Sequence, residues 1–152
     1  MIKKVLFVCT GNAYRSQIAE YLFNKTFKNV SATSAGISSI HTGKYVEEVI
    51  RKDVLDYLEA LGVDIAHNKC KLLNERDIES ADAVFVMERA QKVELQDRFP
   101  KAKAKVFVLG EFANIRETEI YDVPLRPANE TFEQIRESIE NIKKKNLLKS
   151  LS

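Results

Sequence analysis

The chain has 152 residues, 45% of them hydrophobic, with 24 basic and 22 acidic side chains and a formal net charge of +2. That is the size and composition of a globule with one core, and the near-balance of charge leaves no electrostatic footprint for nucleic acid. No apolar run approaches the length needed to cross a membrane.

The chain enters its first apolar segment directly after Met1-Ile2-Lys3-Lys4, so no secretory segment is expected. With two cysteines, Cys9 and Cys70, the expectation is an unpaired-cysteine protein of the cytoplasm, monomeric by default. Two histidines and two scattered cysteines make no metal-binding pattern.

Val5–Val8 reads as a buried strand that ends on Cys9. A short loop holding Gly11 and Asn12 follows. Ile18, Ala19, Leu22 and Phe23 then mark an amphipathic helix from Ser16 to about Phe27. Val30–Ser34 is a short second strand, turned by Ala35-Gly36, and Ser38–Gly43 is an exposed loop. The spacing of Val46, Val49, Ile50, Val54, Tyr57, Leu58 and Leu61 predicts one helix stopped by Gly62.

A short acidic helix is expected over Glu75–Ser80, a buried strand over Ala83–Met87 and a helix over Glu88–Phe99 that Pro100 stops. Lys105–Leu109 is a fourth strand. Gly110–Ala128 is a long aperiodic loop, a length that in a small domain goes with function or mobility. From Thr131, Phe132, Ile135, Ile139 and Ile142 predict a long terminal helix, whose basic end Lys143–Lys145 suits the helix dipole. Strands alternating with helices predict an α/β fold, one domain over 1–152, with a parallel sheet and helices on both faces.

The order strand, Cys9, loop, Arg15, Ser16, helix describes an anion site. Loop amides and first-turn helix amides lack backbone partners and converge on a ligand. Arg15 adds a planar two-pronged donor suited to phosphate. Cys9 then lies under the anion as a nucleophile, its thiolate favoured by the same positive field. The bland alternative is a buried structural cysteine beside a surface arginine. The strand before, Gly11-Asn12 within, Ser16 after and the helix behind all match the catalytic context instead.

The string Cys9-Thr-Gly-Asn-Ala-Tyr-Arg15-Ser16-Gln-Ile-Ala-Glu20 resembles the low-molecular-weight protein tyrosine phosphatase family, which also contains arsenate reductases and protein-arginine phosphatases. Thr33–Gly36, Ala83–Met87 and Val108–Phe112 resemble its later segments, in order. The resemblance implies a three-layer fold on a four-stranded parallel sheet, and phosphate-ester hydrolysis through a thiophosphate on Cys9 without metal or cofactor. It implies that Arg15 and the amides of Thr10, Gly11, Asn12, Ala13 and Tyr14 hold the phosphate oxygens, and that Ser16 donates to the sulfur. It pairs Asn12 with Ser34 and places Ile40 and His41 on the site wall. Inorganic phosphate and other oxyanions are expected to enter the same loop. A left-handed backbone suits Asn12.

The chain departs from the family pattern in several places. Tyr14 replaces a cysteine able to protect the nucleophile by a disulfide, and Cys70 is expected to be a half-buried bystander. Ala13 is neither the bulky aliphatic residue of phosphotyrosine enzymes nor the threonine of phosphoarginine enzymes. Pro127 would replace a wall aromatic. The general acid is supplied in the family by an Asp-Pro pair, and here the segment reads Tyr121-Asp-Val-Pro-Leu-Arg-Pro127.

An ungapped alignment puts Leu125 at the acid position. Either the loop is shifted and Asp122, the only carboxylate between Glu119 and Glu130, is the acid, or the acid is lost. The expected substrate is a phosphotyrosine protein or a small aryl phosphate. The alternatives are phosphoarginine, arsenate, and a phosphate-binding or substrate-trapping module without efficient turnover.

Overall fold

The computed structural model describes residues 1–151. Four strands, β1 (Lys4–Cys9), β2 (Ser31–Gly36), β3 (Ala83–Val86) and β4 (Val106–Val108), form one parallel sheet in the order β2-β1-β3-β4. β1 is therefore internal, paired on both sides. The helices are α1 (Arg15–Thr26), α2 (Val46–Val49), α3 (Lys52–Ala60), α4 (Glu75–Ser80), α5 (Arg89–Arg98), α6 (Leu109–Phe112) and α7 (Ala128–Lys144). Short 3-10 turns span Pro100–Lys105 and Leu147–Leu151.

Alternation along β1 sorts its side chains between two cores. Val5, Phe7 and Cys9 face the layer holding α1, α3 and α7, with Ile18, Phe23, Leu58, Ile135 and Ile139. Leu6 and Val8 face the opposite layer, with Ile78 of α4 and Leu95 of α5. Because both faces are covered, β1 and β3 read as continuous apolar runs rather than alternating ones. Phe85 anchors the first core, its ring 5.6 Å from Phe7 and 5.1 Å from Phe112.

The sheet and its layers match the expectation, with local differences. β2 does not turn at Ala35 but runs on to Gly36, which pairs with Cys9 and bridges to Leu72. The single helix expected over 46–61 is two. Ile50 and Arg51 are extended between α2 and α3, where two successive β-branched residues, Val49 and Ile50, weaken a helix and Arg51 binds Asp53 through both Nε and Nη2. The aperiodic stretch opens with α6, and the terminal helix starts earlier, at Ala128. Among the described residues no helix is long and apolar enough to cross a membrane.

Candidate active site

Cys9 ends β1 at the carboxyl edge of the sheet, where open parallel sheets present ligands. Its side chain is 3% exposed and its Sγ lies 3.0 Å from Ser16 Oγ. Asn12 leaves the Ser16 proton free for the sulfur. Its backbone is left-handed, φ 58°, and its Nδ2 donates to Ser16 Oγ at 2.8 Å and to Ser34 Oγ at 2.9 Å. Both hydroxyls therefore accept from Asn12 and have their own protons to give. Ser16 has its proton to give to a Cys9 thiolate, which can only accept, and Ser34 gives its proton to Glu20 Oε1 at 2.6 Å.

The Asn12 amide cannot flip, because Oδ1 accepts from the Lys71 amide at 2.9 Å and from Gln17 Nε2 at 3.3 Å. Burial holds the Glu20 carboxyl above its ordinary range, with the Ser34 bond and Lys71 opposing. Behind the loop, a Cβ on Gly36 would stand 2.8 Å from the Gly11 carbonyl carbon and 3.0 Å from the Asn12 nitrogen. Glycine at the end of β2 is what lets the loop lie against the sheet.

Arg15 opens α1 and is 2% exposed. No side chain caps that first turn, so its amides are left for a ligand. Arg15 Nη1 donates to Glu88 Oε2 at 2.6 Å and to the Ile120 carbonyl at 2.8 Å. Its Nε is buried and has no partner among the described residues. A buried guanidinium N–H left open is costly unless a ligand fills it. Gln91 steadies the other end of the loop. Its Nε2 donates to Thr10 Oγ1 at 3.2 Å, while Oε1 accepts from the amides of Met87 and Glu88.

Above Cys9 opens a cavity of about 320 Å³ whose lining includes Thr10, Gly11, Ala13, Tyr14, Ile40, His41 and Asp122. The His41 ring packs directly on Gly11. Asp122 comes from the segment before α7, with Oδ1 accepting from the Val123 amide at 2.8 Å. Leu125 is 79% exposed and does not line this cavity. Pro127 lines the neighbouring cavity rather than this one.

Burial raises the Tyr14 phenol well above its ordinary value, with the Asp122 and Tyr57 charges adding and Arg15 opposing. Tyr14 stays protonated and donates to the Ala128 carbonyl at 3.0 Å, tying the loop to the start of α7. Cys70 is fully buried rather than half-buried. Burial pushes its thiol up, with Cys9 and Glu48 adding.

The family described as "Low molecular weight phosphotyrosine protein phosphatase" matches residues 4–152. The chain belongs to that family. It is 32% identical over 140 residues, 92% of this chain and 93% of the relative, to a probable low molecular weight protein-tyrosine-phosphatase, EpsP, of Ralstonia nicotianae. It is 33% identical over 140 residues, 91% of this chain and 90% of the relative, to the protein-arginine-phosphatase of Geobacillus stearothermophilus. Among solved structures, the low molecular weight protein tyrosine phosphatase of T. tengcongensis superposes with a TM-score of 0.78 at 32% identity, covering 94% of this chain and 99% of that one.

The structure joins Cys9, Ser16, Asn12 and Ser34 by hydrogen bonds, sets Arg15 beside Ser16 at the start of α1, and places Ile40, His41 and Asp122 on one cavity with Cys9. Sequence reasoning missed Glu20, Glu88, Gln91 and Arg51. Glu88 stands just past β3 at the carboxyl edge of the sheet, a placement that could have flagged it. Glu20 lies one helical turn beyond Ser16, on the face of α1 that meets β2.

Proposed function

We propose that the protein hydrolyses phosphotyrosine in proteins, and aryl phosphates generally, through a thiophosphate on Cys9. The observation that supports this best is the hydrogen-bond network in which Asn12 donates to Ser34 and Ser16, Ser34 donates to Glu20 and Ser16 meets the Cys9 sulfur, with a buried Arg15 N–H left without a partner among the described residues. The Cys9 thiolate attacks phosphorus in line, forming S–P as the ester P–O bond breaks. Arg15 and the loop amides take the charge that spreads over the three equatorial oxygens.

Asp122 gives its proton to the leaving phenol oxygen. It then takes one from the water that cleaves S–P and frees inorganic phosphate. Every group in this scheme comes from one chain, so it needs no second copy. Two free thiols suit the cytoplasm.

A series of aryl phosphates with phenols of graded acidity tests both halves. Cys9→Ser is expected to lose all turnover. Asp122→Ala is expected to keep good leaving groups within reach and to slow poor ones by about 10²–10⁴-fold, the usual worth of a placed acid. Coincident series for Asp122→Ala and the parent would remove Asp122 from the role.

Phosphoarginine is the second reading, favoured by the 33% identity to the arginine phosphatase of G. stearothermophilus. The ratio of kcat/KM on matched phosphotyrosyl and phosphoarginyl peptides decides between them. Arsenate reduction is disfavoured, because the second thiol, Cys70, is buried with its proton held tightly.

A further inference from the structure

The cavity above Cys9 does not end at its wall. Arg51, Val54 and Val123 line it and also line a neighbouring cavity of about 400 Å³, so the two form one continuous trough. The outer part lies between α3 and the start of α7, walled by Tyr57, Pro124, Pro127 and Ala128. The break between α2 and α3 makes this possible, since it places Arg51 at the junction of the two parts.

The charges at the outer cavity are already spent. Arg51 is held by both carboxylate oxygens of Asp53, at 3.0 and 2.7 Å. Arg126 pairs with Glu117 at 3.0 Å and lies over the Tyr121 ring. Each cation already has a carboxylate partner, which weakens its pull on an acidic neighbour. What remains to be covered is one aromatic face and two proline rings. Ile40, 64% exposed, adds an apolar side chain at the inner cavity. In the proposed reaction the phosphorylated side chain occupies the inner cavity, and a small aryl phosphate has nothing to reach the outer one. In a polypeptide, successive Cα atoms are about 3.8 Å apart, so a neighbouring residue passes directly over the trough.

We propose that the outer cavity is a specificity subsite for an apolar side chain, aliphatic or aromatic, within two positions of the phosphorylated residue of a polypeptide substrate. This rests on the reading of the protein as a protein phosphatase. It assigns selectivity to residues remote from Cys9 and makes the protein a reader of sequence context.

The test is a set of phosphotyrosyl peptides in which Ala, Leu, Phe or Asp is placed in turn at each of the two positions on either side. Turnover is measured as kcat/KM, and binding to Cys9→Ser protein by fluorescence anisotropy. The quantity read is the ratio of the Leu or Phe peptide to its Ala counterpart within each protein. In the parent, one position is expected to show a ratio of about ten, in line with burying one such side chain. Tyr57→Ala, which removes a wall, and Asn129→Trp, which fills the trough from an exposed helix position, are each expected to bring that ratio close to one.

A ratio near one at every position in the parent overturns the subsite. So does a ratio that survives in both variants, or a preference for Asp over Leu. If no peptide is turned over but the binding ratios hold, the proposed reaction fails and the subsite stands. If turnover is brisk and the ratios are flat, the subsite fails alone.

Discussion

Asn12 organises the hydrogen bonds beside Cys9, because one NH₂ group serves two hydroxyls and the amide oxygen is held from two sides. This much was legible in the sequence, since Cys9, Asn12, Arg15 and Ser16 lie within eight residues and their spacing is local. Glu88 was not. It meets Arg15 across 73 residues, and no periodicity encodes such a pairing. Glu88 and the Ile120 carbonyl fix Arg15 Nη1, which leaves Nε in place for a ligand. Glu88→Ala is expected to lower kcat/KM on para-nitrophenyl phosphate about 10²-fold through misplacement of the guanidinium. Glu88→Gln, which keeps an acceptor oxygen, should recover most of that loss. Equal rates in the alanine variant and the parent would remove the positioning role.

Glu20 makes a different prediction. Folding raises its pKa above the ordinary 4.5. The stability linked to its proton is full below the unfolded value and drains as pH climbs through the higher folded one. Glu20→Gln is neutral throughout. Its melting temperature relative to the parent should therefore improve between pH 4 and pH 7, and a constant difference would contradict the assignment.

At the scale of elements, the strands and most helices followed from apolar periodicity, and the failures have physical causes. The run from Val46 to Leu61 keeps helical spacing through a break that backbone geometry imposes at Ile50-Arg51, so the pattern concealed two helices and the trough wall between them. The segment before α7 has no periodicity, and the side on which Asp122 would fall could not be read. Its path is fixed by contacts distant in sequence. The Ile120 amide donates to Met87, and Thr131 Oγ1 donates to the Tyr121 carbonyl.

One contact between elements was also silent in the sequence. The Asp82 carboxylate, just before β3, accepts from the amides of Lys3 and Lys4 at 2.8 and 2.9 Å, and these bonds hold its pKa below the ordinary 3.8. The stability it gives β1 is present above pH 3.8 and is lost as pH falls through the lowered value. Asp82→Ala is expected to cost about 1 kcal/mol at neutral pH, the bond being exposed, or about 2–4 °C in melting temperature. The gap between variant and parent should close in acid.

For the whole molecule, the four-stranded parallel sheet and its two covered faces were legible because buried parallel strands leave long apolar runs. The order of the strands was not legible from the runs themselves, since β1 and β3, both internal, look alike. The order β2-β1-β3-β4 makes β1 internal, paired through Cys9 with Gly36 on one side and through Val8 with Val86 on the other. The Cys9 sulfur thus hangs from a strand paired on both sides, and the loop above it is bonded to α1, β2, α5 and the Lys71 segment. The centre has no separate cooperative unit in which to melt. Loss of activity and loss of the fold should be one event. In a urea titration, turnover of para-nitrophenyl phosphate and far-ultraviolet circular dichroism are expected to fall on a single curve. An earlier loss of turnover would show that the phosphate loop can come apart while the sheet beneath it stands.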